Sequence, residues 1–141
     1  MLELPIQLLH PAAQLPTRGT EHAAGFDLYA SEAVEIWPQH CGKIHTDMII
    51  AIPSGWYGKI EARSSLAFNY GVMIQAGVID SDYRGPVKVL AFVAGRDVWR
   101  IKPGDRIAQL LILPVPQFVP IQVEALDETA RGAGGFGSTG R

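Results

Sequence analysis

Arg63, Ser64 and Ser65 stand side by side in ARSSLA. A guanidinium beside two hydroxyls, leading into an apolar run, is chemistry for holding an oxyanion. The same three residues also suit an ordinary helix N-cap with a solvated arginine. In AGVIDSDYRG, Asp80 follows the apolar pair Val78 and Ile79, and Tyr83 comes three residues on. A carboxylate at that point can orient a water. Turn chemistry explains Asp82 and Gly85 but not Asp80 after an apolar strand residue, and a plain polar turn is the alternative. Asp27 in AAGFDLYA and Gln109 in GDRIAQLLI each interrupt an apolar run. A polar side chain so placed is either satisfied inside the core or faces a wet site. The last stretch, RGAGGFGSTGR, holds Arg131, which can grip a terminal phosphate, and Phe136, which can stack on a base. Glycines with Ser138 and Thr139 offer backbone and hydroxyl donors to phosphate. A disordered chain end is the alternative.

Other chemistries are excluded. Gly132, Gly137, Ser138 and Thr139 approximate a phosphate-loop spacing, but the lysine of that motif is missing. Ser64 lies in no G-x-S-x-G, and none of His10, His22, His40 and His45 is marked as its base. Cys41 and the histidines have no zinc-ligand spacing. Any metal is therefore expected to be a hard cation held by carboxylates and substrate phosphates.

The elements that must position these residues are short. Gly and Pro recur every eight to fifteen residues, among them Gly25, Pro38, Pro53, Gly71, Gly85, Pro103 and Pro114. Between them lie runs rich in β-branched residues: Val34–Ile36, Met48–Ile52, Val87–Val93 and Ile107–Leu113. This spacing predicts an all-β sandwich or barrel. SGWYGKIEA reads as a strand entered through a tight turn, and AGVIDSDYRG as a hairpin leading to the strand PVKVLAFV. A helix is predicted over Ser64–Asn69, capped by Ser64 or Ser65 and ended by Gly71, with a second helical turn near Leu126–Ala130. The expected fold is a jelly-roll or similar barrel.

With 141 residues the chain is expected to be one domain, burying about 68% of its unfolded surface. Its net charge of −2 provides no basic field to draw in nucleic acid, so local arginines or a metal must hold any anionic ligand. Cys41 is the single cysteine, which excludes an internal disulfide. The opening MLELPIQLLHPAAQLP is broken by Pro5, Pro11 and Pro16 and lacks a basic leader, so neither a signal peptide nor a membrane span is expected. A soluble, intracellular protein is the expectation, with no membrane partner.

In this order, AAGFDLYA, ARSSLA, AGVIDSDYRG, GDRIAQLLI and RGAGGFGSTG resemble the five motifs of the trimeric dUTP pyrophosphatase (dUTPase) family. The resemblance runs from about Ala23 to Gly140. Motif two reads Arg-Ser-Ser where some members have Arg-Ser-Gly. The family fold is an all-β, jelly-roll-like β-barrel. The resemblance implies that residues 1–130 form this barrel, with one short helix. Residues 131–141 would be a flexible glycine-rich arm closing over a neighbouring subunit's site in a homotrimer. The implied reaction is Mg²⁺-assisted hydrolysis of dUTP to dUMP and pyrophosphate by in-line attack of water on the α-phosphorus. It keeps uracil out of DNA and supplies dUMP for dTMP synthesis.

By that resemblance Asp80 orients and deprotonates the water. Arg63, Ser64 and Ser65 contact the phosphate chain, with Ser64 near the bridging oxygen, and Gln109 meets the α-phosphate or its waters. Mg²⁺ binds the three phosphates, and Asp27 meets its water shell. Arg131 holds the γ-phosphate, and Gly137, Ser138 and Thr139 add donors. Backbone groups at Gly77, Val78 and Ile79, with Lys88 on the facing strand, read uracil. Tyr83 packs on the sugar and disfavours a 2′-hydroxyl, and Phe136 stacks over the base. Two relatives of this reading compete with it. A dCTP deaminase shares the barrel and an Arg-Ser-Ser segment but not the tail and hairpin. A non-catalytic binding or signalling module would have lost Asp80 or the tail, and both are present here.

Overall fold

The computed structural model describes residues 2–135. Among these residues, eleven short strands and one helix make an all-β, jelly-roll-like barrel. Every pairing is antiparallel. Two layers matter for function. A four-stranded sheet runs in the order β2 (Phe26–Tyr29), β11 (Arg106–Pro114), β6 (Trp56–Glu61), β8 (Val78–Ile79). A three-stranded sheet runs in the order β4 (Cys41–His45), β9 (Lys88–Val93), β7 (Val72–Gln75). Two strand pairs complete the walls: β1 (Ile6–Leu8) with β5 (Met48–Ile50), and β3 (Val34–Ile36) with β10 (Trp99–Ile101).

Alternation builds the core. Along β9 Val89, Ala91 and Val93 point inward, and Lys88 stays exposed. They meet Leu28, Ile44, Met48, Ile50, Ile60, Ile107 and Leu110, all but Ile60 at most 1% exposed. The two buried polar side chains, Ser31 and Thr46, are satisfied by the carbonyls of His45 (3.0 Å) and Val87 (2.6 Å). Among the described residues no helix is long and apolar enough to cross a membrane.

Strand β6 is entered as the sequence predicts. Gly55 takes a left-handed φ of 84°, and Trp56 N–H donates to the Pro53 carbonyl at 3.2 Å. The helix α1 spans Ser64–Tyr70, one residue beyond the expected end. It closes as expected on Gly71, whose φ of 64° is the left-handed cap conformation. A Cβ there would lie 2.8 Å from the Gly95 backbone nitrogen, so glycine is required twice over.

Three local expectations are corrected. The residue at the N-cap is Arg63, in extended conformation and with no side-chain cap; Ser64 and Ser65 are already inside the helix. Leu126–Ala130 forms no helical turn. Its side chains find no packing surface, and a run this short does not form alone. The stretch after Gly77 is not a paired hairpin. Strand β8 bonds to β6, while β9 bonds to β4 and β7, so β8 and β9 splay apart.

Past β11 the chain adds no further strand or helix among the described residues. Val115 N–H still bonds to the Gly55 carbonyl at 2.8 Å. Beyond it Phe118, Val119, Ile121 and Leu126 are 78–85% exposed.

Candidate active site

The splay between β8 and β9 opens a slot of about 210 Å³. Val78, Ile79, Asp80, Tyr83, Val87 and Lys88 line it, with Ile60 at its base. Gly77 is what allows β8 to lie so close to β6. A Cβ on Gly77 would stand 2.5 Å from the Ile60 carbonyl oxygen, and Ile60 N–H bonds to the Gly77 carbonyl at 2.7 Å. Strand β8 is paired along one edge only, to β6. Its other edge faces the slot, where a ring with hydrogen-bonding edges can meet backbone groups.

Asp80 sits exposed just past β8. The turn after it is internally fixed. Tyr83 N–H donates to the Asp80 carbonyl at 3.2 Å, and Arg84 Nη1 donates to the carbonyls of Ser81 (2.7 Å) and Tyr83 (2.8 Å). Arg84 therefore holds the turn. Tyr83 folds back beside Gly85, its hydroxyl donating to the Pro86 carbonyl at 3.3 Å.

A second cavity, of about 250 Å³, lies just past the C-terminal end of β6. It gathers Asp27, Arg63, Ser64, Ser65 and Gln109, as the motifs suggested, and adds Arg106. The register explains the assembly. Gln109 is opposite Asp27 on one side and Glu61 on the other, so all three share the outer face of the sheet. A bulge between Arg106 and Ala108 places Ile107 and Ala108 both inward. Arg106 and Gln109 consequently emerge on the same face although they are three residues apart.

Asp27 holds both arginines. Arg63 Nε donates to Asp27 Oδ1 at 2.9 Å, and Arg106 Nη1 donates to Oδ2 at 3.4 Å. The aspartate side chain is 13% exposed and the two arginines 25% and 52%. One carboxylate between two guanidiniums leaves a local positive charge, which suits a polyanion. Gln109 Nε2 donates one hydrogen to the Ala62 carbonyl at 3.0 Å and keeps its second for a ligand. Its close approach to β2 depends on Gly25, where a Cβ would stand 2.8 Å from Gln109 Oε1. Among the described residues the hydroxyls of Ser64 and Ser65 have no hydrogen-bond partner and are exposed. Nearby, Lys59 lies 2.6 Å from Glu61. The bond and the charge of Glu61 raise the lysine's pKa.

The slot and the cavity share no lining residue. Within one chain, Asp80, Tyr83 and Lys88 line the one, and Arg63, Ser64, Ser65 and Gln109 the other. Arg131 joins neither group; its Nε bonds to the Gly134 carbonyl at 2.7 Å in an exposed turn. Phe136, Gly137, Ser138 and Thr139 lie outside the described residues. No three His, Cys, Asp or Glu side chains converge on a metal site among the described residues. The donor set fits a cation carried by a ligand's phosphates and met by Asp27 through water, since each Asp27 oxygen keeps a lone pair free after its arginine contact.

Arg106 is the residue that motif reading missed as a site residue. Strict alternation puts positions 106 and 109 on opposite faces, and only the bulge brings them together.

The family model described as dUTPase matches residues 12–140. The deoxyuridine 5′-triphosphate nucleotidohydrolase of Candida albicans is 46% identical over 98% of this chain and 88% of its own. The human mitochondrial enzyme of that name is 46% identical over 99% of this chain and 56% of its own. A Staphylococcus bacteriophage 80alpha dUTPase mutant solved with dUpNHpp superposes with a TM-score of 0.92 at 28% identity, covering both chains fully. A dUTPase from phage phi11, described with a structural Mg(II) ion, superposes at 0.82 and 26% identity over 88% of this chain and 98% of its own. The family match takes in the residues of the slot and of the arginine-lined cavity alike, and the chain belongs to the dUTPase family.

Proposed function

We propose that this chain works as a homotrimer in which each active site joins the slot of one subunit to the arginine-lined cavity of another. The reaction is hydrolysis of dUTP to dUMP and pyrophosphate by in-line attack of water on the α-phosphorus, with Mg²⁺ as cofactor. The division into two cavities with no common lining residue carries the shared-site reading. One cavity has the carboxylate and the other has the donors for phosphate.

Uracil enters the slot against the backbone of Gly77, Val78 and Ile79 and the facing Lys88. Cytosine presents the reverse donor–acceptor pattern there, and such mismatch at buried polar groups is worth about 10⁴-fold in selectivity. Tyr83 packs on the deoxyribose. Asp80 takes the proton of the attacking water and aligns it with the α-phosphorus. Arg63, Arg106, Ser64 and Ser65 receive the phosphate chain, and the second Nε2 hydrogen of Gln109 reaches an α-phosphate oxygen. When bound, Mg²⁺ neutralises charge across the three phosphates, with Asp27 the carboxylate that meets its waters. Residues 131–141 act as an arm from a neighbouring subunit, bringing Arg131 to the γ-phosphate and Phe136 over the base, with Gly137, Ser138 and Thr139 as further donors. Eleven extended residues reach about 36–40 Å, enough to cross an interface.

Pyrophosphate release from dUTP, dCTP, dTTP and UTP, each with Mg²⁺, tests the assignment. dUTP should be consumed far faster than the other three. Comparable kcat/KM for UTP or dTTP would overturn the roles of the slot and Tyr83, and ammonia release from dCTP would place the chain with the deaminases.

A further inference from the structure

Two glycines in the turn region differ in what surrounds them. At Gly77 an added Cβ would run into the Ile60 carbonyl, which is backbone and cannot yield. At Gly85 it would instead run into one side chain. The ring and hydroxyl of Tyr83 fill the space, with Cζ at 2.5 Å and Cε2 at 2.9 Å from where the Cβ would stand. No backbone atom is among these nearest contacts. The Gly85 backbone does not adopt a left-handed φ, so a side chain there strains nothing locally.

The missing side chain at Gly85 is therefore a seat for the tyrosine ring. The other constraints on Tyr83 act on its backbone: its N–H bonds to Asp80 and its carbonyl to Arg84. Apart from its hydroxyl contact with Pro86, the ring rests on the space over Gly85. Being 45% exposed, it can swing toward solvent if that space is filled.

We propose that Gly85 is a specificity-determining residue: by leaving room for Tyr83 to lie back, it fixes the ring at the depth that separates a deoxyribose from a ribose. The proposal rests on the reading of Tyr83 as the sugar-packing residue. Gly85 touches no substrate; it is a positioning residue acting through one side chain.

A double-mutant cycle on the full chain tests this, with the ratio of kcat/KM for dUTP over UTP as readout. Gly85→Ala should lower that ratio at least about tenfold, since a displacement near 1 Å in a site can cost about 10²-fold. Its Tm should stay close to wild type. Tyr83→Ala should lower the ratio likewise, and the double variant should lose no more than Tyr83→Ala alone. A ratio unchanged in Gly85→Ala but reduced in Tyr83→Ala overturns the role of Gly85 and leaves that of Tyr83. A ratio unchanged in Tyr83→Ala overturns both. Multiplicative losses in the double variant would show that Gly85 acts by another route and overturn the proposal. If Gly85→Ala does not fold, the double variant decides: recovery of the fold supports a collision with the ring alone, and continued failure overturns it.

Discussion

Asp80 is the one carboxylate lining the slot, exposed and next to a turn held by Arg84. Asp80→Asn keeps its size and removes its basicity. Binding of dUTP, followed by calorimetry, should survive, while kcat should fall about 10²–10⁴-fold. Retention of most of kcat would move the base elsewhere. Arg106 is the complementary case. It faces the same aspartate as Arg63 from another strand, yet it is more exposed. Arg106→Gln should reduce kcat/KM for dUTP by about 10–100-fold, the equivalent of a charge-assisted hydrogen bond, and should change dUMP affinity much less. Equal losses for dUTP and dUMP would mean that Arg106 only braces Asp27. The two residues also mark the reach of sequence reasoning. Asp80 stood out because turn chemistry left it unexplained, and it does line the slot. Arg106 did not, because its face is set by a single extra residue in β11 that a period of two cannot register.

Among the elements, α1 was legible for a simple reason: Gly71 ends it and an apolar run fills it. Its cap was misread because the residue types favoured at caps were taken to outweigh the exit angle of β6. Two residues past the end of β6, Arg63 still has extended backbone, and that geometry makes Arg63 the cap. The hairpin after Gly77 was misread for a related reason. Local turn signals cannot reveal that β6 competes for β8, or that β9 is already paired on both sides. Gly71 carries the cleanest prediction at this scale. Gly71→Ala forces a side chain into left-handed backbone and toward Gly95. The backbone strain alone is about 1–2 kcal/mol, so Tm at fixed protein concentration should drop by several degrees. An unchanged Tm would mean that the cap and its contact with Gly95 relax freely. Because α1 presents Ser64 and Ser65, KM for dUTP should rise with it.

For the whole molecule, the proposed shared site predicts complementation. One variant ends at Ala130 and the other carries Asp80→Asn; each should fold and be nearly inactive. Unfolded and refolded together in equal amounts, they should recover about a quarter of wild-type activity. A site drawing its slot and arm from different subunits has both right about half times half of the time in a closed ring. No recovery, with mixed trimers confirmed by native mass spectrometry, would show that arm and slot act within one chain. The exposed apolar segment from Phe118 to Leu126 has its own consequence for the life of the chain. A newly made subunit that has completed its barrel still presents Phe118, Val119 and Ile121 to water. In the proposed homotrimer, its most hazardous interval is then the wait for partners, when unrelated chains can capture the same surface. Scarcity lengthens that wait. Refolding yield should therefore pass through an optimum as protein concentration rises, limited by unclaimed subunits when dilute and by aggregation when crowded.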